Sequence, residues 1–166
     1  MRIRQATPAD HSRILAIINE AAQAYRGVIP SDRWHEPYMP EQELTLEIAA
    51  GIVFWVAEED GQLQGVIGLQ DKGAVVLVRH AYVTPTVQRK GVGTKLLRHV
   101  EALADKPILI GTWAEASWAI DFYQRNGFSL VPQSHKHRLL RKYWSIPQRQ
   151  IETSVVLADR RWSAGA

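Results

Sequence analysis

The stretch from Val83 to Thr94, Val-Thr-Pro-Thr-Val-Gln-Arg-Lys-Gly-Val-Gly-Thr, restricts what this chain can fold into more than any other. The apolar, β-branched run before it (Ala74 to Val78, then Ala81 to Val83) reads as a strand. After it, Val92, Leu96, Leu97, Val100, Leu103 and Ala104 recur at helical spacing, so a helix begins near Gly91. A strand that turns through two glycines into a helix leaves several backbone N–H groups unpaired at one spot. The positive end of the helix dipole lies over the same spot, and the product is an anion site. Arg89 and Lys90 bring charge to it.

The motif narrows the anion. A Walker loop needs glycine, four residues and then Gly-Lys-Ser/Thr, and no such run occurs. A dinucleotide fingerprint needs a third glycine three residues after the second, where Leu96 stands. Gln88-Arg89-Lys90-Gly91-Val92-Gly93 instead resembles the Gln/Arg-x-x-Gly-x-Gly/Ala signature of the GNAT superfamily of N-acetyltransferases, which cradles the pyrophosphate of acetyl-CoA. Downstream, Ala119 to Phe128 (Ala-Ile-Asp-Phe-Tyr-Gln-Arg-Asn-Gly-Phe) resembles the later helix of that family, with Tyr123, Gly127 and Phe128 in its Tyr-x-x-x-Gly-Phe positions. Two separate signatures in the right order identify the chain as a member. The resemblance implies an α/β (α+β) fold: a mixed, mostly antiparallel central sheet with a splayed pair of parallel strands, flanked by helices. Acetyl-CoA is the implied co-substrate, with Ala81, Tyr82, Val83 and the loop Gln88, Arg89, Lys90, Gly91, Val92, Gly93, Thr94 as its binding residues.

A length of 166 residues suits one domain with a sizeable core. No cysteine is present, which excludes disulfides and thiolate metal sites. Met-Arg-Ile-Arg-Gln at the N-terminus holds no apolar signal region, and no run approaches membrane-spanning length, so the expectation is a soluble cytoplasmic protein. A net charge of +3 fits an acyl-CoA binder as readily as a weak nucleic-acid contact.

Element by element, Ile3 marks a first strand, and Thr7-Pro8-Ala9-Asp10 opens a helix with Thr7 as its cap and Asp10 reaching back. Ile14, Ile18, Ala21, Ala22 and Tyr25 share one face of that helix. Residues 26 to 40 form a loop rich in proline, followed by a short helix over about 41 to 50. Strands follow at 52 to 58 and 63 to 69, joined through Asp60-Gly61. A buried strand lies at 108 to 113, and the Tyr123 helix spans 116 to 126 with Gly127 at its end. Phe128 to Val131 begins another strand. A basic segment, about 132 to 150, is inserted before a last strand over 151 to 157, and its residues 137 to 144 read as a short helix. From His135 onward seven Lys/Arg face two Asp/Glu, which reads as a solvated face before a docking surface. His135 and His137 lack a supporting carboxylate, so no metal site is expected.

The resemblance implies direct attack of an amine on the acetyl carbonyl, formation of an oxyanion and departure of the thiolate. The backbone amides of Ala81, Tyr82 and Val83 would hold the thioester, and Tyr123 occupies the position of the proton donor. The base does not carry over. One glutamate of the family falls on Leu77, another on Gly111, and its usual asparagine falls on Ala116. Candidates that remain are His80, Glu115, or a water held by carbonyls; an acceptor of low pKa would need none. These absences argue against the known ribosomal-protein and histone acetylases. Tyr25, Trp34, Tyr38 and Met39 either cover the edge of the core or wall the acceptor pocket. The expected function is transfer of acetyl to a primary amine of a small molecule or peptide, with homodimer formation open. The alternative is a non-catalytic acyl-CoA-binding module, and nucleic-acid binding through the basic tail ranks last for want of interleaved aromatics.

Overall fold

The computed structural model describes residues 1–164. Its elements run β1 (Arg2–Gln5), α1 (His11–Ala22), α2 (Glu41–Ala49), β2 (Val53–Glu59), β3 (Gln62–Asp71), β4 (Val76–Val83), α3 (Val92–Leu103), β5 (Ile108–Trp113), α4 (Ser117–Arg125), β6 (Ser129–Leu130), α5 (Gln133–Tyr143), α6 (Gln148–Glu152) and β7 (Ser154–Ala158). One seven-stranded sheet takes them in the order β1-β2-β3-β4-β5-β7-β6. Every neighbour is antiparallel except β4 and β5. The mixed sheet with one parallel pair is the architecture that the resemblance implied.

Local chemistry places the elements. Asp60 and Gly61, with φ of 51° and 77°, make the tight β2–β3 turn, whose twist suits the flanking strands. Thr7 donates its N–H to Asp10 at 2.8 Å, closing the cap of the 3₁₀ turn Pro8–Asp10 that leads into α1.

Helices cover both faces of the sheet. On one face α3 and α4 bury Leu96, Leu97, Val100 and Tyr123 against Val78, Ile108 and Ile110. On the other, α1 and α2 seat Ile14, Ile17, Ile18 and Leu44 on Phe54, Val56 and Val66. The basic segment lies on this second face too: α5 buries Leu139, Leu140 and Tyr143 against Leu77, Leu109 and Val156. It is longer than the sequence suggested, and one face of it is core, while Arg138, Arg141 and Lys142 form the solvated face expected of them. The expected last strand is also shorter, because Ile151 belongs to α6 and β7 starts at Ser154. Among the described residues no helix is long and apolar enough to cross a membrane.

Candidate active site

The site is a split in the sheet. The parallel strands β4 and β5 pair only through Val76–Ile108, Leu77–Leu109 and Val78–Ile110, and then part. Just beyond Val78, β4 carries a bulge: between the pairs Gly68–Arg79 and Val66–Tyr82, His80 and Ala81 together oppose the single Ile67. His80 adopts the left-handed φ of 56° that the extra residue requires. The bulge resets the alternation of side chains, so neighbours Arg79 and His80 both reach Glu47 of α2 instead of pointing to opposite faces. Gly68 accommodates it, since a Cβ there would come within 2.8 Å of the Arg79 carbonyl oxygen.

Over the split, on the α1/α2 face, lies a cavity of about 120 Å³ whose lining includes Tyr25, Tyr38, His80, Tyr82, Trp113 and Trp144. Its aromatics brace one another. Tyr25 packs on Tyr38 and Tyr82 with ring centroids 5.4 and 6.3 Å apart, and Trp113 Nε1 donates to the Tyr38 hydroxyl at 2.9 Å. Burial raises the phenol pKa of Tyr25, Tyr38 and Tyr82, so each stays protonated at neutral pH. A larger hollow of about 420 Å³ at the far end of the sheet is walled by Arg4, Asp10 and Glu58. Those charges already pair with one another, and no aromatic lines it.

The two lips of the cavity come from distant parts of the chain. One is the α1–α2 loop; the other is the α5–α6 segment, which contributes Trp144, Ile146 and Gln150. Arg149 pairs with Asp32 at 3.1 Å and Arg33 donates to Gln150 at 3.3 Å, tying the lips together. Trp144 lies over Gly111, where an added Cβ would stand 3.1 Å from its ring. A side chain on β5 at that position would press against the Trp144 ring, and sequence alone had no sign of that contact.

The remaining residues singled out by the sequence are scattered. Trp34 stacks on the outer side of Tyr38 at 5.8 Å and buttresses the cavity without lining it. Met39 does neither: it is 2% exposed in the core beneath α1, its N–H bonded to the Asn19 side chain. Glu115 stands exposed in the turn after β5 and is not among the cavity residues. His80 does line the cavity, with Nε2 at 2.6 Å from Oε2 of Glu47. Glu47 and Arg79 escaped the sequence reading because nothing in it marked the bulge that aims both strand residues at α2.

Tyr123 approaches the split from the opposite face, out of the α3/α4 core. Burial, then the nearby Tyr25 phenol, raises its pKa, so the hydroxyl keeps its proton, and among the described residues it has no hydrogen-bond partner. Beside it the loop after β4 is open. Arg89 and Gly91 have φ of 66° and 84°, which turns successive N–H groups toward one side ahead of α3. The first amide of that run to find a helical acceptor is Lys95, bonded to the Gly91 carbonyl at 3.0 Å. Arg89 and Lys90 are exposed and, among the described residues, pair with no carboxylate. Free N–H groups, a helix N-terminus and two unpaired cations fit a diphosphate, and the gap between β4 and β5 fits a slender chain running from it to Tyr123.

Comparison with known proteins agrees. The family described as acetyltransferase (GNAT) domain matches residues 50–130. The chain is 26% identical over 129 residues to the peptidyl-lysine N-acetyltransferase YiaC of Escherichia coli (strain K12), covering 78% of this chain and 84% of that protein. Its fold is similar to that of the PaiA N-acetyltransferase of Thermoplasma acidophilum solved in complex with coenzyme A, with a TM-score of 0.72, 20% identity, and coverage of 95% of this chain and 97% of that one. The ribosomal-protein-S18-alanine N-acetyltransferase of Escherichia coli is similar at a TM-score of 0.65 and 17% identity, covering 99% and 96% of the two chains. The signature glycines and Tyr123 both fall inside the matched region, and the sheet splits where those residues meet. Residues 50–130 therefore carry a GNAT acetyltransferase domain, and the chain is an acetyl-CoA-dependent N-acetyltransferase.

Proposed function

We propose that this chain acetylates the primary amine of a small molecule or peptide that enters the aromatic cavity, with His80 as base and Tyr123 as acid. The observation that carries this is the position of the cavity: it opens on one face of the β4/β5 split, while the anion loop and Tyr123 approach the split from the other. The pyrophosphate would lie on the amides of Gln88 to Thr94, and the free backbone of Ala81 to Val83 would hold the thioester oxygen. An amine in the cavity gives one proton to His80 as its nitrogen bonds to the acetyl carbon. The C–S bond breaks and Tyr123 gives its proton to the sulfur; the proton held by His80 returns through solvent to the phenolate, and the amide keeps the second hydrogen of the amine. Starting from an ammonium ion, one further proton leaves to solvent. The raised phenol pKa values of the cavity tyrosines leave them as donors that orient the acceptor, and none can serve as base. Acceptor size is limited by Trp144 and the tied lips, which supports an unbranched amine arm over a bulky one.

The test is thiol release from acetyl-CoA across a panel of alkylamines and lysine-containing peptides, read with Tyr123→Phe. The substitution should cut kcat by about 10²-fold, the lower end for a general acid because a thiolate leaves readily. The acetyl-CoA Kd should stay within about twofold, since the ring remains. A variant with wild-type kcat would show that solvent protonates the sulfur.

A further inference from the structure

His80 does not act alone in this geometry. Its Nε2 lies 2.6 Å from Glu47 Oε2, while the other oxygen of Glu47 accepts from Arg79 Nη2 at 3.1 Å. Arg79 is itself fixed by Gln70, which accepts from Nη1 at 3.2 Å, and Gln70 is 6% exposed. Phe54 stacks along the imidazole at 6.2 Å. Glu43, one turn back on α2, and His35 from the α1–α2 loop are the other titratable groups whose charges reach this cluster. Nε2 and Glu47 Oε2 are both sealed from solvent and face each other at 2.6 Å without the alignment of a formed hydrogen bond, so a proton on Nε2 has only that oxygen to turn to. The second ring nitrogen, Nδ1, has no protein partner among the described residues and is open to solvent.

We propose that Glu47 is the positioning residue for the base: by accepting from Nε2 it keeps the proton there and leaves the lone pair of His80 on Nδ1. The inference rests on the reading of His80 as base and adds the group that sets its tautomer. Burial alone would push the Glu47 carboxyl up, but the nearby Nε2 and charge of His80, helped by Arg79, outweigh it and hold the carboxyl below its ordinary range. A carboxylate placed against Nε2 and held by Arg79 favours the proton on that nitrogen, as the orienting acid of a catalytic triad does. The bulge supplies the rest, because a regular strand would send either Arg79 or His80 to the far face.

The tautomer can be read without any acceptor. Two-bond ¹H–¹⁵N correlation spectra of the ¹⁵N-histidine protein near pH 8, with His80→Gln to assign the signal, should show His80 protonated on Nε2 only. In Glu47→Gln the pattern should shift to a mixture that includes the Nδ1–H form. A wild-type ring protonated on Nδ1 or on both nitrogens, or a spectrum unchanged in Glu47→Gln, overturns the inference. With an amine found active in the thiol-release panel, Glu47→Gln should lower kcat by roughly 10²-fold, as loss of a correctly poised base does, at unchanged acetyl-CoA Kd. Glu47→Asp should recover part of it. If His80→Gln keeps the wild-type rate, the assignment of His80 as base fails, whatever the tautomer. If His80→Gln is slow while Glu47→Gln is not, only the role of Glu47 falls.

Discussion

Asp10 shows how much one side chain can tie together. Its carboxylate accepts from Arg4 at 2.8 and 3.0 Å and from the Thr7 N–H at 2.8 Å, joining β1 to the turn that starts α1. Arg4 also reaches Glu58 of β2 at 3.2 Å. The Arg4 hydrogen bond, partly opposed by burial and aided by Thr7, lowers the Asp10 pKa from 3.8 to about 2. Because the folded value is the lower one, the stabilisation is present above pH 3.8 and fades as pH falls toward about 2. Asp10→Ala should therefore cost about 1 kcal/mol near neutral pH, allowing for solvent around the Arg4 pair. Urea unfolding at about pH 7 and about pH 2 checks it: the deficit should largely vanish in acid, and an equal deficit at both would refute the ionic origin. Thr7-Pro8-Ala9-Asp10 was readable as a cap because that chemistry is local. Glu47 was not readable, since its partners lie 32 and 33 positions away on a strand with a bulge.

Acetyl-CoA binding, as proposed, depends on the β4–loop–α3 unit. Its glycines do different work. Gly91 takes a φ of 84° at the N-cap of α3, in open space. Gly93 lies under Phe122 of α4, 3.2 Å from where a Cβ would stand. Gly91→Asp strains the backbone by about 1 kcal/mol and puts a negative charge among the amides. Gly93→Asp pushes against the Phe122 ring as well. Both should abolish acetyl-CoA binding in calorimetry, while Arg89→Ala weakens it several-fold; unchanged affinity in both glycine variants would move the site elsewhere. This unit was the most legible part of the sequence, because glycine spacing and helical period are written in adjacent residues. The β4 bulge inside it was not. Gly68, the residue that permits it, sits on another strand and looks like any glycine in a β-run.

Over the whole molecule, sheet order and layers follow from patterns the sequence displays, but the placing of α5 does not follow from its charge. Lys136, Leu139, Leu140 and Tyr143 are all buried, spaced as one face of a helix, while Arg138, Arg141 and Lys142 stay exposed. The period was present and the basic composition masked it. Burying that face covers β5 and β7, sets Trp144 over Gly111 and supplies one lip of the cavity. The segment should then unfold with the sheet as one unit. Leu139, 3% exposed and not part of the cavity lining, separates this from a detachable appendage. Leu139→Ala should lower global stability by about 3 kcal/mol, the usual cost of emptying a leucine site in a packed core. An appendage would cost under about 0.5 kcal/mol, as expected for Leu103→Ala on the exposed side of α3. Far-UV circular dichroism reports the helices and sheet, and tryptophan fluorescence includes Trp144 and Trp162, which pack against the α5 cluster. If the two transitions coincide in wild type and shift together in Leu139→Ala, the α5–α6 segment is part of the fold that builds the aromatic cavity. A fluorescence transition that moves alone would show that α5 can leave the sheet while the acetyl-CoA half stands.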